Sequence, residues 1–328
     1  MWYDKTTFGG VDMLRIYNTD VKTDSFDTLK KIKKGCWIDL VNPNQEDINF
    51  LTDSLDVDTS FISYLLDDEE QPRIDYDDEN DIKMIIIDVP IREKKKNISR
   101  ITTIPLAILV IKDSYIATVS LEEVPLLKDF KQQKVKEFYS YKKTRFIIQI
   151  LYRTASLYLR YLRKLNREIE KAEEKMLKAT SNRDLAHLLS VEKSLVYMTT
   201  SLKSNEVVLE RILKGNVIDL YEEDNDLLED AIIENKQGIE MANLYREILS
   251  STADSFATII SNNLNTIMKF LAGITIVISI PTMVASFMGM NVPLGPIMEM
   301  PYAFLILLGI SGVLSLVVAF ILKKKNML

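Results

Sequence analysis

Cysteine and histidine are almost missing from this 328-residue chain, which has one of each, Cys36 and His187. A single cysteine cannot build an intramolecular disulfide framework. With one histidine beside it, zinc clusters, iron–sulfur centres and multi-histidine metal sites lack their ligands. No G-x-x-x-x-G-K-[ST] run occurs, so a phosphate-loop engine is excluded. No nucleophile–base pairing or cofactor loop stands out either, which argues against an enzyme. Proline is absent between Pro125 and Pro281. Charge is nearly absent from the C-terminal stretch, where Glu299 is the only charged residue between Lys269 and Lys323. The net charge of −6 makes the chain a poor nucleic-acid binder. The opening residues, MWYDKTTFGG, have neither the basic start nor the apolar core of a signal peptide. The N-terminal part is therefore expected to stay in the cytoplasm, in keeping with its lone cysteine.

What is present divides sharply. Residues 264–328 hold four lysines and one glutamate; the 37 basic and 46 acidic residues before them give a net charge of −9. Within the tail, 270–288 and 302–322 are uncharged runs of about 20 residues, each long enough to cross a hydrocarbon core of ~30 Å as a helix. Gly289, Pro293, Gly295, Pro296 and Pro301 mark a turn between them. Lys269 precedes the first run and Lys323–Lys325 follow the second, so both ends are expected to face the cytoplasm. A buried helical hairpin in a soluble protein is the plainer alternative.

Before residue 125 the pattern mixes strands and helices. Strands are predicted at 13–17, 36–40, 83–90, 104–111 and 115–120, the last two joined by a turn at 112–114. Helices are predicted at 44–55 and 59–66, the first with acids in its opening turn. The acidic run 75–79 reads as an exposed turn. Beyond Pro125 the chain reads as long helices. Ile148, Leu151, Ala155, Leu159, Leu162, Leu165 and Ile169 recur at three- and four-residue steps. Thr180-Ser181-Asn182 offers a cap for a second helix ending near Gly215-Asn216. A third begins near Tyr221–Asp226 and has no strong stop before Pro281. Unbroken into the first span it would cover roughly 100 Å, and a helix that long needs partners.

One face of that helix carries Asp254, Ser261, Asn265, Met268, Ala272, Thr275, Ser279, Thr282 and Ser286. The steps of seven, three and four place them in one line. Small hydroxylic residues in a membrane serve close helix packing. They also serve as the wall of a water-filled pore, where oxygen ligands suit hard divalent cations such as hydrated Mg²⁺. Composition slightly favours packing. The pore reading gains from the stripe's continuation to Asn265 and Asp254, and from its end at Gly289-Met290-Asn291. Pro281, which cannot donate to the Val277 carbonyl, also leaves an acceptor best turned toward water.

The Gly289-Met290-Asn291 triplet between two C-terminal spans resembles the signature of the CorA magnesium-transporter family. So does its setting: Ser261-Asn262, Asn265, Met268-Lys269, Leu271, Ile280-Pro281, Thr282, a short loop, a second span and a lysine run. Trp37-Ile38-Asp39-Leu40, Gln71-Pro72-Arg73 and Pro105-Leu106 also match family positions. The resemblance covers nearly the whole chain. It implies a homopentamer whose subunits each bring a cytoplasmic α/β domain, a stalk helix continuous with the pore-lining span, and a peripheral second span. It implies that Gly289, Met290 and Asn291 form a selectivity filter for hydrated Mg²⁺, and that Ala272, Thr275, Ser279, Thr282 and Ser286 line the pore. Met268 and Leu271 would form a hydrophobic constriction, with Asn265 and the Asp254 ring below it. Mg²⁺ bound between subunits would hold the pore closed, with Asp230 matching the family's stalk acid. Three departures stand out. Met288 replaces an aromatic before the triplet, and the outer loop keeps only Glu299 as a charge. Ser63 and Tyr64 stand where partner acids are expected, with Asp67 and Asp68 nearby as substitutes.

The expected fold class is an α+β membrane protein. Its expected segments are an α/β domain at 1–125, antiparallel helices at 126–220, a stalk at 221–269, a pore-lining span at 270–290, an outer loop at 291–301, a second span at 302–322 and a basic tail at 323–328. The expected function is potential-driven influx of Mg²⁺, with Co²⁺ as a second cargo, gated by cytoplasmic Mg²⁺ and needing no organic cofactor. The expected partners are four more copies, the lipid bilayer and divalent ions, not nucleic acid. The alternatives are a Zn²⁺ or Co²⁺ transporter or exporter on the same scaffold, and a membrane-anchored sensor that transports nothing.

Overall fold

The computed structural model describes residues 14–64, 66–67, 70–95, 98–176, 182–215, 217–290 and 302–327. It divides into two compact units, Met1–Ser250 and Ser251–Leu328. Strands and helices follow in the order β1 (Leu14–Thr19), β2 (Phe26–Leu29), β3 (Trp37–Val41), α1 (Gln45–Leu55), α2 (Thr59–Tyr64), β4 (Arg73–Asp77), β5 (Ile82–Lys95), β6 (Ile98–Ile111), β7 (Tyr115–Ser120), α3 (Pro125–Lys131), α4 (Lys143–Met176), α5 (Asn182–Leu213), α6 (Glu222–Met288) and α7 (Ala303–Lys324).

In the first unit seven strands form one sheet in the order β2-β1-β3-β7-β6-β5-β4. Every neighbouring pair is antiparallel except β3 and β7, which run parallel, with Trp37 opposite Ile116. Alternation along each strand sorts side chains to two faces. On β5 and β6, Ile85, Ile87, Val89, Leu106, Ile108 and Val110 pack with the long helices. Met84, Ile86, Ala107, Leu109 and Ile111 pack on the other face with Ile48, Leu51 and Leu55 of α1. The sheet is thus sandwiched between short helices on one side and long ones on the other.

Local signals explain several boundaries. The Asn44 side chain accepts from the backbone N–H groups of Glu46 and Asp47 at 2.9 and 3.0 Å. Asp47 returns the bond by accepting from Asn44 N–H at 3.0 Å, closing a capping box that starts α1. The apolar stripe predicted on α4 is buried along its full length, from Ile148 at 0% exposure to Ile169 at 1%. Beside it, Trp37 meets Phe146 and Phe138 edge-on at 5.1 and 6.0 Å between ring centroids, an arrangement the ring quadrupoles favour.

Some expectations need correction. β2 and β4 were not foreseen, because each is short and charged. Asp75–Asp77, expected in an exposed turn, lie in β4 paired with Lys83 and Met84, and the turn begins only after Asp77. β5 and β6 each run 14 residues, well past the predicted ends, because their outer halves pair only with each other. The helical region after Pro125 opens with seven-residue α3, and α4 starts only at Lys143. Met13, Thr180, Ser181 and Asn216, predicted at element ends, lie outside the described residues.

The third long helix is one element. α6 spans 67 residues, about 100 Å at 1.5 Å per residue, and passes through Pro281. In the first unit it buries Leu228, Ala231 and Ile232. Asn235 donates from Nδ2 to the Leu202 carbonyl at 2.9 Å. At Gly238 an added Cβ would lie 3.1 Å from Leu202, so glycine lets α5 approach closely.

In the second unit, two segments are long and apolar enough to span a bilayer, with mean hydropathies of 2.0 and 2.8. Only 6% and 11% of those windows are buried. A helical hairpin forming a soluble core would be mostly buried. These helices need another medium, and their length and composition fit lipid.

Candidate functional site

The stripe residues and Leu271 lie on the part of α6 in the second unit, where side chains on and off the line are exposed alike. Asn265, Met268, Leu271, Ala272, Thr275, Ser279, Thr282 and Ser286 are all exposed on the single chain. Asp254 is also exposed, and its backbone carbonyl accepts from the Thr258 hydroxyl at 3.1 Å.

The hydroxyls share one orientation. Thr275 Oγ1 donates to the Leu271 carbonyl at 2.8 Å, Ser279 Oγ to Thr275 at 2.7 Å, and Thr282 Oγ1 to Ile278 at 3.2 Å. Each proton is committed to its own helix, one turn back. What remains on these three oxygens is lone-pair density, so at Thr275, Ser279 and Thr282 the line offers acceptors, while the Asn265 amide keeps N–H donors as well. Pro281 adds to it, because without an N–H it leaves the Val277 carbonyl without its usual helical donor. Such a run of acceptors is suited to cations or their hydrating water.

The helix ends at the triplet. Gly289 N–H donates to the carbonyls of Ala285 and Ser286 at 3.0 and 3.2 Å. An added Cβ at Gly289 would meet only those two oxygens, at 3.6 Å, which is ordinary contact. Its backbone is not in the left-handed region either. The single chain therefore does not require glycine there. Met290 is exposed; Asn291 lies outside the described residues.

The residues expected to sense Mg²⁺ lie apart from this line, in the first unit. Asp230 is on an exposed part of α6, near enough to help raise the pKa of Tyr152 on α4, an effect led by Glu234. Asp67 is exposed just after α2. Asp68 lies outside the described residues. Among the described residues no group of three or more His, Cys, Asp or Glu is placed to hold a metal ion. One chain by itself does not bring the expected regulatory acids together.

Reading the sequence missed a buried polar knot. Asp88 of β5 exchanges backbone hydrogen bonds with Asn205 of α5, at 2.9 and 2.8 Å, and its carbonyl also accepts from Tyr158 Oη at 3.1 Å. Burial pushes its carboxyl up to about 6, although a hydrogen bond from Ser201 opposes this. The signal was available: a lone acid within Ile85-Ile86-Ile87-Asp88-Val89 is out of place in a buried strand.

The family model described as CorA-like Mg²⁺ transporter protein matches residues 33–324. The cobalt/magnesium transport protein CorA of Methanocaldococcus jannaschii is 26% identical over 299 residues, covering 88% of this chain and 90% of that protein. The complete structure of the M. jannaschii CorA magnesium transporter superposes with a TM-score of 0.79 at 24% identity, covering 97% of this chain and 99% of that one. The full-length CmaX protein shares the fold, with a TM-score of 0.68 at 14% identity over 98% of this chain and 100% of that one. With a family match over most of its length, the chain belongs to the CorA-like Mg²⁺ transporter family.

Proposed function

We propose that this chain is one subunit of a homopentameric channel admitting Mg²⁺, with Co²⁺ as a second cargo, under the membrane potential. Membership of the family makes the protein a transporter of divalent cations and not an enzyme. What supports the channel is the run of hydroxyl acceptors at Thr275, Ser279 and Thr282 on α6, which leads toward Gly289-Met290-Asn291. Copies of α6 arranged around an axis would turn that line inward. Glycine at 289 then has a reason the single chain does not supply: it keeps the backbone bare where a hydrated ion must pass. Asn291 would close the filter with its amide oxygens, and Mg²⁺, which dehydrates reluctantly, would be held through its water shell.

Met268 and Leu271, each 57% exposed on the single chain, would form a ring that closes by excluding water. The lysines flanking the spans support a cell-membrane protein with both termini in the cytoplasm. The driving force needs no nucleotide hydrolysis, since a divalent ion gains about 4–5 kcal/mol on entering at ~100 mV. Mg²⁺ held by Asp230 with Asp67 and Asp68 of a neighbouring copy would favour the closed state.

The test is Mg²⁺ flux into proteoliposomes with an internal dye and an imposed inside-negative potential. Uptake should follow the potential and vanish in Asn291→Ala without loss of assembly. Normal uptake in that variant would overturn the filter. Transport of Zn²⁺ in place of Mg²⁺ would move the assignment to a zinc carrier, and no flux of any cation would move it to a sensor.

A further inference from the structure

The first unit contains a cleft of about 540 Å³ that the transport reading does not use. That volume lies within the usual range for small-molecule sites, roughly 300–1,000 Å³. Its floor is apolar and buried: Val110 of β6, Ile147 of α4 and Ile218 are 5%, 0% and 8% exposed. Two tyrosines, Tyr141 and Tyr221, stand among the lining residues.

The rim carries both signs of charge, sorted by chain segment. Lys83 of β5 and Lys142 ahead of α4 supply cations, while Asp219, Glu222 and Glu223, around the start of α6, supply carboxylates. Other rim charges are already committed. Lys143 is paired with Asp113 at 2.6 Å, and Arg145 with Asp224 and Glu137 at 2.9 and 2.6 Å. Among the described residues, no salt bridge holds Lys83, Lys142, Asp219, Glu222 or Glu223.

We propose that this cleft binds a mononucleotide di- or triphosphate together with its Mg²⁺. A simple anion would not use the carboxylates, and a simple cation would not use the lysines. A ligand presenting phosphates, a divalent ion and a flat ring uses all three surfaces. Lysine is a point-charge partner for phosphate. Mg²⁺ is characteristically held by one or two carboxylates plus phosphate oxygens, not by an all-protein cage. That matches a rim in which no three described acids are placed to hold a bare ion. The base has an apolar floor and two phenol rings to lie against. An aromatic amino acid, which also presents both charges and a ring, is too small to fill the space. No phosphate loop is required, because the site binds and does not hydrolyse. The site is independent of the pore: it stands or falls without reference to transport.

The experiment is calorimetric titration of the full-length protein in detergent with ADP and ATP. Binding is expected in the presence of Mg²⁺ and at least tenfold weaker with a chelator. The double variant Lys83→Ala/Lys142→Ala should weaken it at least tenfold, as should Glu222→Gln/Glu223→Gln, and Tyr221→Ala severalfold. Lys142, Tyr221, Glu222 and Glu223 are exposed and Lys83 is half-buried, and circular dichroism checks that each variant folds. Asp230→Asn should leave nucleotide binding unchanged. No binding up to millimolar nucleotide by folded protein would overturn the proposal. So would binding that survives the lysine variant, or displacement by inorganic phosphate or Mg²⁺ alone at matching concentration.

Discussion

The two units solve the problem of polar groups in opposite ways. In the first, most polar groups taken out of water find partners within the chain, although Gln149 Oε1 and Thr154 Oγ1 are buried without one. Trp37 Nε1 donates to Thr118 Oγ1 at 2.8 Å, Thr118 donates to Asp39 at 2.8 Å, and the second Asp39 oxygen meets Lys131 Nζ at 2.5 Å. In the second, the hydroxyls satisfy themselves locally, within one helical turn, and almost nothing is buried. The first unit completes its core within one chain. The second leaves its apolar surface open to what surrounds it, lipid and, in the proposed assembly, further copies. A substitution should therefore act on stability in the first unit and on permeation in the second, and each prediction below tests that division.

The largest stability effect is expected at Lys131. Asp39 is 2% exposed, and Lys131→Ala would leave its buried carboxylate with Thr118 as its one remaining side-chain donor among the described residues. Removing one partner of a buried pair costs about 3–5 kcal/mol. Chemical denaturation of the full chain should show a loss of that order. A loss below ~1 kcal/mol would mean that water reaches Asp39 and that the first unit is less self-sufficient than it looks.

Asp88 comes next, and its pH dependence runs opposite to that of most carboxylates. Its folded pKa of about 6 lies above the ordinary 3.8, so the folded state holds the proton more tightly than the unfolded chain does. From about pH 4 to 6 the unfolded chain ionises first, and stability falls as pH rises, by at most about 3 kcal/mol. Above pH 6 the penalty is constant. Asp88→Asn should match the parent near pH 4 and gain on it up to pH 6, in denaturation series at several pH values. A difference that does not change with pH would place Asp88 in contact with water.

The same contrast explains what could be read from the sequence. In the second unit the two spans were legible. A membrane span is a one-dimensional signal, a run of given length without charge, and the hydroxyl stripe needs only helical periodicity. The stripe on α4 was legible for the same reason. The first unit was legible only in part. β2 and β4 are short and charged, and neighbouring strands hold them rather than any pattern of their own. The parallel pairing of β3 with β7 joins residues about 80 positions apart. The cleft gathers Lys83, Tyr141 and Glu222 from three distant segments, which periodicity cannot foretell. The orientation of the hydroxyls is a structural fact as well, because the sequence shows that they line up but not where their protons go.

In the second unit, Leu271→Ala should change stability by less than ~0.5 kcal/mol, since its side chain is 57% exposed on the single chain. Its effect should appear in flux instead: cation leak at high internal Mg²⁺, where the parent is shut. Closure that persists would mean the constriction lies elsewhere on the stripe. A large loss of stability with no leak would mean that α6 packs against α6 there rather than around water.

The smallest structural effect is expected at Asp230, where the two halves of the comparison meet. It lies in the first unit, yet its proposed role needs another copy, as the pore residues do. It is exposed and in no described metal cluster, so Asp230→Asn should leave the denaturation midpoint of the chain within about 0.5 kcal/mol. If Mg²⁺ between copies holds the pore shut, the variant should need roughly fivefold or more Mg²⁺ for half-inhibition of flux, the low end of ordinary allosteric coupling. Linkage adds a second requirement. Because the ion would bind the closed assembly, Mg²⁺ should raise the thermal midpoint of the parent by mass action, and raise that of the variant less. An unchanged inhibition curve with an unchanged Mg²⁺ stabilisation would move sensing to residues 67–70. A shifted midpoint with unchanged inhibition would show that the ion at Asp230 joins subunits without controlling the pore.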